Sequence, residues 1–459
     1  MHTMPKRSWV MRSLELQLLL TVLLFFAAGY LLVVQTTGTS ALVATPRDIA
    51  AILWPSILPF FLFIGISLAM GYFNPQADQI LLPLVALLAG LGLLLTARLE
   101  PSMALTDPVA YKGIDARQSL WVTLGILGMA TILFVPWDTL MRRWMRTSLF
   151  DVLDNFRYVW LALGIILIVA TFVFGVDPNR SGVRAWFRFG PILFQPSELL
   201  KIVMVIFLAS YLNEHREVVT RGYRLGPLTL PPLPILVPLA GMWGAAMGLI
   251  IFQRDLGAAL MLFTVFLAML YVATGNGWYV AAGLSAFSVG SYLLFTVVSV
   301  VKIRVAVWLD PWATAQDSGY QIVQSIYALA SGGVFGAGLG GGHPGVIPAA
   351  HTDFIFSAIG EELGLVGTLG ILCAYLLLGF RGYHIALAIP GRFRGFEQLL
   401  VIGLTTILII QTFIIVGGNL RLIPLTGITL PFVSYGGSSV LINFIIIGLM
   451  LRVSSGTSS

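Results

Sequence analysis

A series of long apolar runs constrains the fold of this sequence more than any other feature. A transmembrane helix needs about 20 mostly apolar residues, and twelve segments of the 459-residue chain come close to that length. Charged residues make up 10% of the chain, whereas soluble domains carry about 25%. The sequence therefore predicts an all-α polytopic membrane protein. The twelve predicted spans are 14–34, 51–70, 79–97, 118–135, 158–176, 197–212, 233–251, 257–273, 278–300, 354–380, 398–418 and 430–452.

The lysines and arginines between these runs predict the orientation. With the N-terminus in the cytoplasm, fourteen of them lie inside and eleven outside, which agrees in sign with the positive-inside rule. Both termini are then cytoplasmic. The outside cations contact either lipid headgroups or an anionic substrate on the outer side. Because the basic residues are scattered through short segments, the net charge of +6 does not indicate nucleic-acid binding.

Residues 301–353 form a long outer loop between the ninth and tenth predicted spans. Long connections in a compact protein are usually functional or disordered, and this one is too apolar for disorder. The spacing of Ile322, Ile326 and Leu329 predicts a short helix on or in the membrane surface, followed by a glycine-rich turn. The string GAGLGG in that turn follows no strand, so it does not indicate a nucleotide site. Flexibility and close packing explain it better.

Polar residues at the ends of two predicted spans are candidates for function. In FQPSELLK (194–201), Glu198 and Lys201 are three residues apart and project from one helix face. The pair either holds this helix to its neighbours or lines a polar cavity that binds substrate, and the two roles are compatible. Arg254 and Asp255 precede another predicted span, where Asp255 is either a helix cap or a functional carboxylate.

The segment GVRAWFRFGPILFQPSE (182–198) alternates polar and apolar residues on the outer side. It contains Arg184, Trp186 and Arg188. This pattern predicts an amphipathic piece anchored at the membrane interface by aromatic rings.

The stretch HTDFIFSAIGEELG (351–364) places ionisable groups at and inside a predicted span. A charged side chain in hydrocarbon costs roughly 2.5–3.5 kcal/mol on insertion scales, so we expect some of these groups to be functional. Asp353 is either a helix cap or, facing a half-buried cavity, a general base. In a continuous helix Glu361 would point roughly 80° away from Asp353, and Glu362 nearly opposite. The two glutamates therefore cannot both face one cavity.

Five strings resemble the SEDS family of membrane proteins, the group of FtsW, RodA and SpoVE. They occur in family order across about residues 80–453 and read RAWFRFGPILFQPSELLK (184–201), RDLG (254–257), GYQIVQSIYALASGGVFGAGLG (319–340), HTDFIFSAIGEELGLVG (351–367) and PFVSYGGSSVLINFIIIGLMLRV (431–453). The family usually has ten spans. The resemblance therefore implies a SEDS core over 79–453, an N-terminal addition of two spans over 1–78, and a short cytoplasmic tail over 454–459.

The resemblance also implies an activity. SEDS proteins are peptidoglycan glycosyltransferases that polymerise lipid II at the outer face of the bacterial cytoplasmic membrane, together with a class B penicillin-binding protein. The catalytic aspartate of the family falls on Asp353 and a second family carboxylate on Asp255. Trp186, Glu198 and Lys201 match the family motif that contains QPSE.

The implied reaction is an inverting glycosyl transfer in which Asp353 accepts the proton of the attacking sugar hydroxyl. His351 or Glu361 would shape the surroundings of Asp353. The leaving pyrophosphate is anionic, and a divalent cation (Mg²⁺ or Mn²⁺) could share its charge with the protein. The candidate cationic side chains are Arg184, Arg188, Arg254, Lys302 and Arg304.

Two further departures from the family pattern, besides the two additional spans, are visible. Arg254 stands where the family often has proline, and Pro348-Ala349 stands where it often has Pro-Glu. Two other functions are compatible with the sequence, a flippase for lipid-linked precursors and a scaffold that only positions a penicillin-binding protein. The polar groups gather at the outer boundary and no internal repeat relates the two halves, which favours the enzyme.

Overall fold

Helices account for nearly all of the regular structure. The computed structural model describes residues 9–36, 46–177, 184–190, 192–220, 223–225, 228–230, 241, 244, 247–248, 251, 255–390 and 394–456, without the side chains of 36–56 and 217–230. In these residues the helices are α1 (Ser13–Thr36), α2 (Pro46–Phe73), α3 (Leu81–Thr106), α4 (Pro108–Tyr111), α5 (Ile114–Phe134), α6 (Trp137–Met145), α7 (Leu149–Asn155), α8 (Arg157–Phe174), α9 (Pro196–Thr220), α10 (Leu256–Thr274), α11 (Gly277–Val297), α12 (Ser299–Leu309), α13 (Tyr320–Gly332), α14 (Ile355–Ala388), α15 (Gly395–Asn419) and α16 (Gly437–Ser455).

Two short antiparallel hairpins contain the strands of the described residues, and short 3₁₀ helices occur at Trp312–Thr314 and Pro344–Val346. The first pairs β1 (Phe187–Phe189) with β2 (Ile192–Phe194). The second pairs β3 (Tyr223–Leu225) with β4 (Leu228–Leu230).

Ten helical segments of the described residues are long and apolar enough to cross a membrane. They overlap ten of the predicted spans, and the chain is a multi-pass membrane protein. The predicted span 51–70 falls on α2, whose apolar part within the searched residues is the shorter Ile57–Phe73. Most of the predicted span 233–251 lies outside the described residues. The ten segments are Ser13–Gln35, Leu81–Thr106, Pro108–Phe134, Arg157–Phe174, Pro196–Arg216, Leu256–Thr274, Gly277–Val297, Ile355–Ala388, Gly395–Asn419 and Gly437–Ser455.

The chain divides into two compact units. The first comprises the described parts of Met1–Val135, Gln324–Ile385 and Thr429–Ser459. In it α5 packs against α16, α2 and α3, while α1 packs against α2 and α3. Close approach depends on small residues: a side chain at Gly90 would meet the rings of Phe26 and Phe60, and one at Gly125 would meet Phe444. Helices α1 and α2 are thus packed into this unit.

The second unit comprises the described parts of Pro136–Val323 and Ala386–Ile428. Helix α9 is its centre, because it packs against α7, α8, α10 and α15. Gly275 ends α10 in the left-handed region with φ 68°, a conformation that glycine adopts without strain. The side chain of Asn276 then accepts the N–H of Trp278 at 3.0 Å and caps α11.

The segment 301–353, predicted as a long outer loop, contains most of helix α12 and all of helix α13. Only Val298 separates α11 from α12, so the segment begins inside a helix. The predicted helix is present as α13, and the glycine-rich turn follows it. Helix α12 is apolar and follows the apolar span α11 almost directly. Hydropathy alone therefore does not locate the residue at which the α11 span ends.

Candidate functional site

Asp353 lies on a tight turn that leads into α14. The N–H groups of Thr352, Asp353 and Phe354 all point to the carbonyl of Ala349, at 3.0, 3.1 and 3.3 Å. Ala349 itself has φ 57°, which is uncommon for a residue other than glycine. Such strain persists only where the surroundings hold it in place. The turn therefore presents Asp353 on a constrained backbone.

A second segment, Leu430–Gly436, fixes this turn from outside. The N–H of Tyr435 donates to the carbonyl of His351 at 2.8 Å. The hydroxyl of Ser434 donates to the carbonyl of Thr352 at 2.6 Å and accepts the N–H of Leu430 at 2.8 Å. Ser434 is buried, so water does not compete for these bonds. The predicted span 430–452 begins later, at Gly437, because these residues form the turn that holds the Asp353 segment.

His351 is a neutral imidazole in this arrangement. Its ring lies 5.3 Å from that of Tyr111 and 5.4 Å from that of Tyr435, measured between centroids. Burial, reinforced by the charge of Arg117, lowers the pKa of His351 to about 4. Its Nδ1 atom is buried without a hydrogen-bond partner in the described residues. At neutral pH His351 can therefore offer a hydrogen bond to a ligand but no positive charge.

The glycine-rich turn fills a break in α14. Gly364 has φ 67° and ψ −164° and interrupts the helix. The carbonyls of Glu361 and Glu362 accept the N–H groups of Ala337 and Gly338 at 2.9 and 3.0 Å. Across the break, Gly333 accepts the N–H of Leu365 and Val334 that of Val366, at 3.0 and 3.1 Å. Backbone groups inside a membrane must find partners within the protein, and this turn supplies them.

The side chains of Glu361 and Glu362 hold the same turn. Glu361 accepts the N–H of His343 at 2.7 Å. Glu362 is fully buried and pairs with Nε of Arg98 at 3.0 Å. The Nη2 of Arg98 also donates to the carbonyls of Gly340 and Gly342, at 3.2 and 3.0 Å. The close packing expected of this turn is present, and the role of Glu361 in substrate binding stays a prediction.

In the second unit, Glu198 and Lys201 form the ion pair that their spacing indicates. The Lys201 Nζ lies 2.5 Å from the Glu198 Oε2 and donates to Oε1 of Gln411 on α15 at 3.1 Å. Both charged residues are buried. The pair therefore links α9 to α15, which is the structural role that the sequence left open. A role in substrate binding remains compatible with it.

Asp255 is the N-cap of α10. Its Oδ1 accepts the N–H of Ala258 at 3.0 Å, so the capping role is confirmed. Burial raises the pKa of Asp255 against the opposing effect of that hydrogen bond, and Glu198 raises it further while Lys201 and Arg304 lower it. Asp255 thus shares one electrostatic environment with the Glu198–Lys201 pair. Arg254 lies outside the described residues.

The predicted interfacial segment is a β-hairpin. Trp186 bridges to Val176 through two backbone hydrogen bonds of 2.7 and 3.3 Å, and β1 and β2 follow it. Arg184 and Arg188 are exposed, whereas Trp186 is half-buried. The alternation in the sequence is therefore that of strands, and both arginines are available to a ligand.

Lys302 and Arg304 lie on α12, with Lys302 exposed and Arg304 half-buried. Arg421 holds the end of this helix. Its Nε donates to the carbonyl of Trp308 at 2.7 Å and its Nη2 to that of Leu309 at 2.5 Å. The Trp308 indole donates back to the carbonyl of Arg421 at 3.0 Å. Arg421 therefore fixes the helix that carries both cations.

Several residues that shape the site did not stand out in the sequence. Arg98 and Gln411 were detectable as polar groups within apolar runs. Ser434 and Tyr435 belong to a string that resembles the SEDS family, but their contacts with the Asp353 turn join residues about eighty positions apart and leave no spacing signal. No cluster of three or more His, Cys, Asp or Glu side chains occurs within the part of the chain that the structure describes.

Comparisons with known proteins agree with this architecture. The peptidoglycan glycosyltransferase RodA of Mycobacterium tuberculosis (strain ATCC 25618 / H37Rv) is 40% identical over 400 residues, covering 86% of this chain and 81% of that protein. Stage V sporulation protein E of Bacillus subtilis (strain 168) is 34% identical over 341 residues, covering 74% of this chain and 86% of that protein. A chain from a solved peptidoglycan synthase complex has a TM-score of 0.64 at 29% identity, covering 83% of this chain and 99% of its own length.

A sequence model of one protein family matches most of the chain. The model for the cell cycle proteins FtsW, RodA and SpoVE matches residues 78–459, which include α3 to α16, the Asp353 turn and the segment that holds it. On this match, and on the relatives above, the chain belongs to the FtsW/RodA/SpoVE family.

Proposed function

We infer that this protein is a peptidoglycan glycosyltransferase, the activity by which its relatives RodA and FtsW are named. The observation that carries the proposal is the placement of Asp353 on a strained turn at the start of a membrane span, held by hydrogen bonds to Ala349 and from Ser434 and Tyr435. A catalytic group must be held in a fixed position relative to the reacting atoms. A turn that served only to start a helix would not need this support.

The proposed substrate is lipid II, a disaccharide-peptide carried on a polyprenyl pyrophosphate. Its lipid must stay in the bilayer while its sugars reach water. A carboxylate beside the end of a span, rather than at mid-membrane, suits such a molecule. We place Asp353 at the outer face of the bacterial cytoplasmic membrane, with twelve spans and both termini in the cytoplasm, as the charge distribution predicts.

In the proposed reaction, the Asp353 carboxylate accepts the proton of the acceptor's sugar hydroxyl. The oxygen then forms a bond to the anomeric carbon of the donor, while the bond from that carbon to the pyrophosphate breaks and the lipid pyrophosphate leaves. Direct displacement converts an α-linked donor into a β-linked chain. One base and stabilisation of the leaving group are sufficient. Neutral His351 leaves the basicity of Asp353 undiminished by a neighbouring imidazolium charge.

We propose that a set of cationic and polar side chains binds the substrate. The exposed residues Arg184, Arg188 and Lys302 present positive charge, and Arg304 lies on the same helix as Lys302. Arg254, Trp186, Asp255, Glu198 and Lys201 complete the set that the family motifs indicate. Guanidinium and ammonium groups bind pyrophosphate oxygens by charge-assisted hydrogen bonds.

A divalent cation at the pyrophosphate is part of the proposal. Mg²⁺ is typically held by one or two carboxylates together with phosphate oxygens and water, and such a site does not need the three-ligand cluster that the described residues lack. Asp255 is the proposed protein ligand, because it is the second carboxylate that the family motifs indicate. The ion would supply neutralisation of the leaving pyrophosphate.

A class B penicillin-binding protein is the proposed partner, because a structural neighbour of this chain belongs to a peptidoglycan synthase complex.

One vesicle experiment separates the three functions considered, which are glycosyltransferase, flippase and scaffold. Purified protein is reconstituted with fluorescent lipid II, with and without that partner and Mg²⁺. An enzyme makes glycan polymer, a flippase moves lipid II across the bilayer without polymer, and a scaffold does neither. Polymer formation supports the proposal, and either other outcome contradicts it.

A further inference from the structure

Helix α6 (Trp137–Met145) is amphipathic, and none of its residues has a role in the proposed glycosyl transfer. With 3.6 residues per turn, its apolar residues fall on one side and its charged residues on the other. The apolar stripe consists of Trp137, Leu140, Met141, Trp144 and Met145. The polar side consists of Asp138, Thr139, Arg142 and Arg143, with Arg146 at the C-cap.

Three of the five residues of the apolar stripe are exposed, and Trp137 and Met141 are half-buried. Trp144 is 81% exposed, Met145 52% and Leu140 43%. In a helix outside a membrane span, such exposure marks an interaction surface. Tryptophan is enriched where a protein meets the boundary between lipid and water.

Chain connectivity puts α6 at a membrane surface. Only Val135 and Pro136 separate it from the span that ends at Phe134, and the chain enters the next span at Arg157. A nine-residue helix is about 14 Å long at 1.5 Å per residue, which is too short to cross the bilayer. It therefore lies where lipid headgroups are within reach.

The helix is held in a defined fold. Arg146 adopts φ 59° and ends α6. Ser148 and Asp151 then form a capping box that begins α7. The carboxylate of Asp138 accepts the N–H of Leu149 at 2.9 Å and ties the start of α7 to the first turn of α6. The surface is thus preformed, and its one acidic side chain has an internal role.

The arginines of α6 are exposed, and none forms an ion pair with a carboxylate of the described residues. This sets them apart from five other arginines of the described chain, which pair with Glu or Asp: Arg12, Arg98, Arg157, Arg381 and Arg394. Three uncompensated guanidinium groups attract anions, and their planar fork matches phosphate oxygens.

We propose that α6 is a binding site for the headgroups of anionic phospholipids in the leaflet on its own side of the membrane. The apolar stripe enters the boundary between headgroups and acyl chains, and Arg142, Arg143 and Arg146 bind lipid phosphates beside it. An exposed apolar stripe backed by cations is the combination by which interfacial helices bind anionic membranes. The site is independent of the glycosyl transfer proposed for Asp353.

The first test measures lipid retention. Full-length protein is exchanged into nanodiscs with or without phosphatidylglycerol, and bound phosphatidylglycerol is quantified after limited delipidation. Replacing Arg142, Arg143 and Arg146 together by Gln should weaken retention by about fivefold per arginine, and more salt should reduce the difference between the proteins. The matched triple substitution by Lys keeps the charge and should retain most of the lipid.

The second test locates the helix in the bilayer. The single cysteine is Cys373, so Cys373→Ser gives a background for labelling. A fluorophore on Met145→Cys, on the apolar stripe, should be quenched by nitroxides on lipid acyl chains. The same fluorophore on Thr139→Cys, on the polar side, should not be quenched.

Two results would overturn the proposal. One is equal phosphatidylglycerol retention by the wild type and a folded Gln variant, which would leave only adhesion of an apolar helix. The other is a water-exposed label at position 145 in phosphatidylglycerol nanodiscs, which would point to a protein partner for the stripe.

Discussion

The Ser434 hydroxyl donates a hydrogen bond of 2.6 Å to the carbonyl oxygen of Thr352, the residue immediately before Asp353. Ser434 also accepts the N–H of Leu430 at 2.8 Å. One buried hydroxyl thus ties the turn that carries the proposed base to the segment before the last span. This relationship makes the position of Asp353 depend on a residue with no chemical role of its own.

Ser434→Ala should therefore lower the turnover number for lipid II polymerisation by about tenfold, since loss of a buried hydrogen-bond partner costs ~1–3 kcal/mol. The KM for lipid II should change little. Ser434→Thr keeps the hydroxyl and should recover part of the rate. The matched control is Ser439→Ala, because the Ser439 hydroxyl bonds to Thr429 and Asn443 instead. An equal loss in both alanine variants would contradict the positioning role.

The break in α14 should depend on glycine at 364. Gly364→Ala would place a side chain in the left-handed region and against the backbone of Val334 to Gly336. We expect a loss of about 1–3 kcal/mol in the free energy of unfolding, measured by denaturant titration in detergent. Gly370→Ala, in the same helix with open space around it, should be neutral or slightly stabilising. Equal effects of the two substitutions would show that the break does not require a glycine.

The stability of the protein should fall at acid pH because of His351. Its pKa is about 4 in the folded protein against an ordinary value of 6.5, so the unfolded state binds the proton more readily. Above pH 6.5 the His351 imidazole is neutral in both the folded and the unfolded state. As the pH falls from 6.5 to about 4, the unfolded state binds a proton that the folded state does not, so the free energy of unfolding falls by up to about 3 kcal/mol. Thermal unfolding of His351→Gln should lack this part of the pH dependence. A parallel pH profile for wild type and variant would contradict the assignment.

The buried Glu198–Lys201 pair should show strong coupling. Lys201→Met leaves the Glu198 carboxylate buried without its counter-ion, which should cost about 3–5 kcal/mol. The double variant Glu198→Gln/Lys201→Met should recover most of that loss. Unfolding free energies of the four proteins form a double-mutant cycle. A folded but inactive double variant would add a role in substrate binding, whereas an active one would make the pair purely structural.

The membrane architecture could be predicted from the sequence because a bilayer imposes a length and a composition on each span. The ion pair of Glu198 and Lys201 followed from helical spacing in the same way. The break at Gly364 did not, since an apolar run continues through it and its hydrogen-bond partners lie about thirty residues upstream. Helix α12, at the start of the predicted outer loop 301–353, did not follow from hydropathy either.

The residues of the candidate site also fall into those that the sequence indicated and those that it did not. Asp353, His351 and Asp255 stood out because ionisable groups are costly at a membrane. The groups that fix them, such as Ser434 and Arg98, act through tertiary contacts that join distant parts of the chain. Spacing rules report neighbours on one helix, so they do not identify such supports.

Glycan polymerisation by purified protein, comparing wild type with Asp353→Asn, tests the central claim most directly. The assay supplies lipid II, a class B penicillin-binding partner and Mg²⁺, and confirms folding of the variant by its thermal transition. The account predicts polymer from the wild type and a loss of at least about a hundredfold in the variant, the usual contribution of a general base. A folded Asp353→Asn protein that polymerises at the wild-type rate would contradict it.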